Sequence, residues 1–223
     1  MTKDEIKLVS NNWHYHRAGL GVMIMLWAGL RKGEACALRW EDIDLEKGII
    51  HVRRAWDPVH AVIKDTKTVA GQRDVPIFAK LREALESQRK SSGLVFKTAD
   101  GGYHTYSSLE RSVDGFIGCM ERVLNSVPNP EYTNVRTDIW QKRVALAGGE
   151  WKKFYFTPHD LRTTFATMCY DAKVDMHTTA RWMGHTNVET TLGIYTKLTN
   201  ERRIESTNAM DKYSMSMDGK DID

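Results

Sequence analysis

The feature that most constrains this chain is an unbroken apolar run from Ala18 to Leu30, 13 residues long and followed by Arg31. A helix that spans a bilayer needs about 20 such residues, so the run is too short to cross a membrane. It also lacks the early position and the small-residue cleavage pattern of a signal peptide. A helix that is apolar on every side must be buried, so we predict a core helix over residues 14–29 that ends at a glycine.

The composition of the 223-residue chain is that of one sizeable globular domain, with 41% apolar residues. Its 32 basic side chains outnumber the 29 acidic ones, and residues 201–223 are themselves acidic, so the preceding body is the more basic part. Such a body allows a polyanionic partner without proving one. The three cysteines are far apart and form no C-x-x-C pair, which argues against disulfides or a zinc–thiolate site and favours a cytoplasmic protein.

Periodicity and turn signals predict an α+β fold that is mainly helical. Further helices are expected over residues 34–40, 79–90 and 109–124. The stretches "GIIHVRRAW", "AVIKDTKT" and "RDVPIF" read as short strands, and because they follow one another closely we predict a small three-stranded antiparallel meander. Residues 128–153 begin with prolines and contain a Gly-Gly pair, so we interpret them as an insertion with one helix over residues 137–147.

Three helix starts follow in the last third of the chain. The sequence "TPHD" combines a capping threonine, a proline suited to the first helical position and an acidic group suited to the first turn. Asp175 can cap a helix that ends at Gly184. The pattern Thr186-x-x-Glu189 is a capping box, which predicts a third helix over residues 187–195.

Two of these helix ends carry groups that suit an anion. His159 and Arg162 are three residues apart and share a face near a helix N-terminus, where backbone N–H groups favour negative charge. Arg31 follows the buried helix, and Glu34, three residues on, can orient its guanidinium. Taken singly, each arginine is as easily a surface cation, and the histidine a polar residue near a cap.

The remaining candidates are also weak when taken alone. Lys67 lies at the end of a predicted strand, from which a hairpin can carry an ammonium into a cleft. His185 follows the glycine that ends a helix, and Tyr195 comes ten residues after His185. A tyrosine near a helix end is most often a packed ring with a wet hydroxyl. The order and spacing of the whole set are what carry information.

That ordered set runs from the arginine of "AGLRKGE" to the block "TPHDLRTTFAT…MGHTNVETTLGIYTKL", and over residues 20–197 it resembles the tyrosine recombinase, or phage integrase, family. The resemblance implies the catalytic-domain fold of that family. It also implies six catalytic side chains, namely Arg31, Lys67, His159, Arg162, His185 and Tyr195. Lys64 stays open as the alternative to Lys67, because the register of a hairpin is not fixed by sequence, although the "TKT" setting favours Lys67.

The resemblance also has consequences for domains and partners. Residues 1–200 are expected to form the catalytic domain with its insertion, and residues 201–223 a C-terminal helix and flexible tail that acts in cis or in trans. Family members usually carry a helical core-binding domain first, and Arg31 comes too early for one to fit, so we expect that domain to be absent from this chain. The implied partner is double-stranded DNA, bound by a homotetramer or, for an isolated fragment, a monomer, and no membrane, cofactor or metal is implied.

The implied chemistry is a metal-independent transfer of a DNA strand to tyrosine. Two arginines and His185 would stabilise the negative charge on the nonbridging oxygens of the phosphorane, while His159 takes the proton of Tyr195 and Lys67 protonates the leaving 5′-oxygen. The product is a 3′-phosphotyrosine, as in site-specific recombinases and integrases of phages and mobile elements. Two alternatives stay open: a type IB topoisomerase-like enzyme that reseals the same strand, and a non-catalytic DNA-binding module with the same basic cleft.

Overall fold

The apolar run forms the central helix of the core, α2 (Gly19–Ala28), in a computed structural model that describes residues 1–65, 72–130 and 137–199 together with Ile204, Thr207 and Met210. The helix starts later than predicted because His16 has an extended backbone and Gly19 packs on the Trp13 carbonyl, where a Cβ would lie 1.8 Å from the oxygen. It ends, as predicted, at Gly29, whose φ of 62° is the left-handed conformation that glycine adopts without strain.

Most of the other helices agree with the sequence prediction to within a few residues. In chain order they are α1 (Lys3–Asn12), α3 (Lys32–Ala37), α4 (Ala79–Ser87), α5 (Tyr106–Leu124), α6 (Thr137–Leu146), α7 (Pro158–Asp171), α8 (Met176–Met183) and α9, residues 189–199. Short 3-10 turns lie at Trp13–Tyr15 and Trp40–Asp42. Among the described residues, no helix is both long and apolar enough to cross a membrane.

The strands form two antiparallel sheets instead of the predicted meander. They are β1 (Ile43–Asp44), β2 (Ile49–Val52), β3 (Arg54–Asp57), β4 (Val62–Asp65) and β5 (Arg73–Pro76). A three-stranded sheet has the order β1-β2-β5, and β3 pairs with β4 separately. The meander was wrong because "GIIHVRRAW" is two strands, interrupted at Arg53: β2 buries Ile50 against its partner Val75, whereas β3 stays half-exposed and leaves the sheet.

Helix caps explain why the last three helices start where they do. Thr157 and Asp160 form a complete capping box at the start of α7, and Asp175 caps α8, which ends at Gly184 with a φ of 64°. Both caps confirm the predictions. The predicted box at Thr186 was wrong, because the side chain of Asn187 instead accepts a hydrogen bond of 2.8 Å from the backbone of Glu189. Helix α9 therefore begins at residue 189, and it continues past Tyr195.

The predicted insertion leaves and rejoins the domain at one end of α5. Asn125 exchanges two hydrogen bonds with the backbone of Lys152, at 2.8 and 2.9 Å, and the carboxylate of Glu121 accepts one of 3.2 Å from the Trp151 indole. Between these points lies α6, which confirms the helix predicted there. The two ends of this segment are therefore joined by hydrogen bonds at one end of α5.

Packing between α2, α7 and α8 brings distant parts of the chain to one place. The Phe165 ring of α7 is buried and lies so close to Gly29 that a Cβ there would be 2.5 Å from the ring. Phe165 also belongs to a cluster with Met183, at the end of α8. Burying one such side chain contributes about 1.5–3 kcal/mol to stability. The ends of α2 and α8 are thereby fixed on either side of α7.

Candidate active site

Arg31 lies at the junction of two helices, as the residue that precedes α3. Its Nη1 donates to Glu34 Oε1 at 3.0 Å, and its Nη2 donates to the carbonyl oxygen of Gly184 at 2.8 Å. The predicted role of Glu34 as orienting partner is confirmed. The Arg31 side chain remains 46% exposed. It is therefore held by protein partners and still open to a ligand.

Arg162 is buried where α2, α7 and α8 meet. Its two terminal nitrogens donate to the carbonyl oxygens of Gly29 and Met183, which end α2 and α8 respectively. Burial and the neighbouring Arg31 lower the pKa of Arg162 to about 9. The side chain therefore stays positively charged at neutral pH. A guanidinium group carries five N–H donors, so donors remain for a ligand in addition to the two that bond the ends of α2 and α8.

A cavity of about 520 Å³ opens over these arginines. The described side chains that line it are Arg31, Lys32, Thr157, Pro158, His159, Arg162, His185, Thr186 and Thr190. The structure thus brings four of the six predicted residues together. His159 comes from the first turn of α7, on the same face as Arg162, as its three-residue spacing requires.

His185 is a neutral hydrogen-bonding group in this cavity. Burial and the charges of Arg162 and Arg31 lower its pKa to about 4, so the ring carries no charge at pH 7. Its Nδ1 lies 2.8 Å from the hydroxyl of Thr191, which is buried. If the Thr191 hydroxyl donates to Nδ1, the ring hydrogen sits on Nε2 and becomes a donor to a ligand.

Tyr195 is not among the described side chains that line this cavity. Its hydroxyl donates to the Val174 carbonyl oxygen at 3.1 Å and lies 2.9 Å from the hydroxyl of the buried Thr179. The ring packs edge-on against Tyr170, with 5.0 Å between centroids. Burial raises the pKa of the Tyr195 phenol above its usual value. In this structure the hydroxyl is thus held, in its protonated form, on the side of α8 where Val174 and Thr179 lie.

The two candidate lysines have different outcomes. Lys67 lies outside the described residues. Lys64 lies on β4 and its ammonium is 2.5 Å from the Asp57 carboxylate on the paired strand. That contact and a hydrogen bond from His60 hold the pKa of Asp57 well below its usual range. Lys64 is therefore engaged by a carboxylate in the two-stranded sheet.

Sequence reasoning missed Arg73, the first residue of β5. It lies in the same group of charges, since its Nη1 and Nη2 donate to the two carboxylate oxygens of Glu34 at 2.9 and 2.8 Å. Its Nε donates to the carbonyl oxygen of Trp182 at 2.6 Å. Both partners are far away in sequence. The only local signal is that the first residue of β5 is an arginine at a buried position. A buried charge without a partner is strongly destabilising, so a partner is expected.

A second, larger cavity of about 1080 Å³ adjoins the first at His185. It lies between β2, β5 and α8, and its basic lining residues are His51, Arg53, Arg73, His177, Arg181 and His185. Asp74 also lines it, with one carboxylate oxygen 2.7 Å from the Nδ1 of His51. Positive charge from Arg53, Arg73 and Arg181 therefore extends from the first cavity along this side of α8.

Comparison with known sequences gives a consistent set of relatives. The model of the phage integrase family matches residues 1–202. The chain is 35% identical over 172 residues to the prophage integrase IntR of Escherichia coli K12, which covers 76% of this chain and 40% of that protein. It is 31% identical over 185 residues to the tyrosine recombinase XerA of Thermococcus kodakarensis, which covers 83% and 52% respectively. The chain spans about half the length of the curated relatives it matches.

Solved structures share the architecture. The integrase of transposon Tn1549, in complex with circular intermediate DNA, superposes with a TM-score of 0.62 at 20% identity, covering 91% of this chain and 66% of that one. The XerA recombinase superposes with a TM-score of 0.59 at 23% identity, covering 93% and 62%. This likeness confirms the predicted fold class, α+β and mainly helical.

Proposed function

Because the chain belongs to the phage integrase family, we propose that it is a site-specific DNA recombinase of a phage or mobile element. It cleaves one strand of double-stranded DNA through a covalent 3′-phosphotyrosine and rejoins that end to another 5′-hydroxyl. The observation that carries the proposal is the convergence of Arg31, His159, Arg162 and His185 on one cavity.

The charges around this cavity suit a phosphodiester. Arg31, Arg73 and Arg162 carry three positive charges against the single negative charge of Glu34. A phosphodiester has one negative charge, and attack at phosphorus concentrates a further charge on its nonbridging oxygens. Guanidinium groups already in place stabilise that charge without reorganising during the reaction. Arg31 and Arg162 would hold the oxygens, and the neutral His185 would donate one further hydrogen bond.

Tyr195 is the proposed nucleophile, with His159 as the base that takes its proton. Attack forms the Tyr195 O–P bond and breaks the bond to the 5′-oxygen, whose proton comes from Lys67 in this scheme. Because the Tyr195 hydroxyl is bonded to Val174 and Thr179, both hydrogen bonds must break before attack, and a movement of α9 would break them. The loop over residues 185–188, between α8 and α9, is where that movement would begin.

The same proposal extends to organisation and assembly. Residues 1–200 act as the catalytic domain, and the excursion over residues 128–153 is an insertion within it. The terminal helix and tail predicted over residues 201–223 lie outside the described residues, apart from Ile204, Thr207 and Met210. The working assembly on DNA is a homotetramer. Support comes from the family match and from the similarity to recombinases and integrases.

A covalent-capture experiment tests this function without knowledge of the target site. The protein is incubated with a pool of nicked duplexes whose central sequence is randomised, so that cleavage releases a short strand and traps the adduct. Adducts that survive denaturation are isolated and sequenced, and the selected duplex serves all later assays. Transfer of the trapped strand to a second duplex supports a recombinase, whereas resealing only of the original strand supports a topoisomerase. Failure to form any adduct would refute strand cleavage.

Removing divalent metal is expected to leave adduct formation unchanged. The proposed charge stabilisation comes from Arg31 and Arg162, which EDTA does not affect. The yield of adduct on the selected duplex is measured on a denaturing gel, with and without EDTA. A metal-dependent nuclease on the same duplex is the control for chelation. Loss of the adduct in EDTA that returns with Mg²⁺ would contradict the arginine-based mechanism.

Replacing Arg181 by alanine is expected to weaken DNA binding and to lower its dependence on salt. Arg181 lines the second cavity, where a cation would contact a DNA phosphate beside the cleaved one. Losing one phosphate contact reduces the slope of log K against log salt by about 1. Binding of the selected duplex is measured from low to high salt. Arg111→Ala, on an exposed part of α5, is the matched control, and an equal slope change in both variants would contradict a specific contact.

A further inference from the structure

We propose that Arg73 is a positioning residue of this site: it neutralises Glu34, so that the charge of Arg31 stays available to a phosphate, and it fixes the turn that carries His185. The inference rests on the proposed function for its substrate, a DNA phosphate. It assigns a role to a residue that no motif in the sequence marks.

The carboxylate of Glu34 is shared between two arginines. It is 3% exposed and accepts four hydrogen bonds. Arg73 supplies two from its terminal nitrogens, at 2.9 and 2.8 Å, while Arg31 supplies one from Nη1 at 3.0 Å and one from its backbone nitrogen at 2.7 Å. Burial by itself raises the pKa of Glu34, but the bonds from Arg73 and Arg31 outweigh it and hold the pKa below its usual value.

The sharing decides what Arg31 can offer a ligand. One carboxylate and one guanidinium would form a neutral pair, and a neutral pair attracts a phosphate weakly. With Arg73 present, the same carboxylate faces two positive charges and one remains in excess. Arg73 is the more buried of the two arginines and makes the bidentate contact, so Glu34 is matched chiefly by Arg73. The excess charge then lies on Arg31, which lines the cavity.

Arg73 also holds the turn after α8 in place. Its Nε donates to the Trp182 carbonyl oxygen at 2.6 Å, and its guanidinium lies against Gly184, where a Cβ would be 2.8 Å from Nη1. Arg31 Nη2 donates to the Gly184 carbonyl oxygen at 2.8 Å. The residue that follows is His185. One guanidinium therefore connects the position of Arg31 to that of His185.

A charge-exchange series separates this role from a purely structural one. The variants are Arg73→Met, Glu34→Gln, the double variant Arg73→Met with Glu34→Gln, and Arg73→Lys. The double variant replaces a buried ion pair by neutral side chains, which folded proteins usually tolerate better than a single unpaired charge. Thermal melting identifies the folded variants. Each is then titrated with inorganic phosphate, followed by the His185 ring signals in NMR, and assayed for single-turnover cleavage of the selected duplex.

Arg73→Met is expected to cleave about 100-fold more slowly than the parent and to bind phosphate more weakly, because Glu34 then neutralises Arg31. The double variant is expected to recover about tenfold over Arg73→Met in both assays, since Arg31 is released. Arg73→Lys keeps the charge and is expected to lie between the parent and Arg73→Met.

Two results would overturn the inference. One is a folded double variant that binds phosphate and cleaves no better than Arg73→Met, or, if Arg73→Met does not fold, no better than Arg31→Ala, which lacks the charge that the double variant should release. The other is Arg73→Met with phosphate binding equal to that of the parent. If the parent itself formed no DNA adduct, the proposed function would fail, while the phosphate titration would still decide the role of Arg73.

Discussion

Tyr195→Phe is expected to abolish the covalent protein–DNA adduct and to leave DNA binding nearly unchanged. The substitution removes the oxygen that would attack phosphorus and keeps the ring that packs against Tyr170. The lost hydrogen bonds to Val174 and Thr179 contribute about 1 kcal/mol each, which is too little to unfold a domain of this size. The measurement is adduct yield on a denaturing gel, beside a binding titration of the same duplex.

Tyr170→Phe is the matched control for that experiment. Tyr170 packs edge-on against Tyr195, and its hydroxyl lies 3.0 Å from that of Thr199. The control therefore also removes a hydrogen-bonded tyrosine hydroxyl close to Tyr195. It should form the adduct. An adduct that persists in Tyr195→Phe, or one that disappears equally in both variants, would remove Tyr195 as the proposed nucleophile.

Arg31→Ala is expected to slow cleavage about 10²–10³-fold, the usual consequence of deleting one preorganised donor from a developing oxyanion. Ground-state binding should change little, because a long duplex makes many other phosphate contacts. Arg31→Lys keeps the charge but not the planar fork that grips two oxygens, so it should recover only part of the loss. Single-turnover cleavage and duplex affinity, measured side by side, separate the two effects.

Arg39→Ala controls for loss of an arginine near the same helix. Arg39 follows α3, pairs with Glu41 at 3.3 Å and is absent from the described lining of the first cavity. Its variant should cleave like the parent. An Arg31→Ala protein that loses binding and cleavage to the same extent would show that Arg31 merely attracts DNA, and would contradict a role in the transition state.

The parts of the site that sequence could predict are those set by local rules. Gly29 ends the buried helix and Thr157 caps the next one, and these two signals fix the backbone at Arg31 and Arg162. The partnership of Arg31 with Glu34 also follows from a spacing of three residues. Near neighbours along the chain decide all of these contacts.

What sequence could not predict depends on distant contacts or on competing local ones. Strand pairing was wrong because the break at Arg53 separates β2 from β3, and burial of Ile50 against Val75 then chooses the partner. Arg73 was missed because its partners are Glu34 and Trp182. The start of α9 differed because the Asn187 side chain, and not that of Thr186, accepts the hydrogen bond from the Glu189 backbone. The resemblance implied a chemistry for Tyr195 but not where its hydroxyl rests.

Under the proposed mechanism, the two hydrogen bonds that hold the Tyr195 hydroxyl set how many molecules are ready to react at any instant. At about 1 kcal/mol each, they favour the held state by roughly thirtyfold, which leaves a few per cent of the population with a free phenol. The observed rate of adduct formation at saturating duplex would then be only that fraction of the rate with the phenol free. Any contact made only by a released α9 would raise the fraction, so assembly on DNA can accelerate cleavage while the cavity itself stays the same.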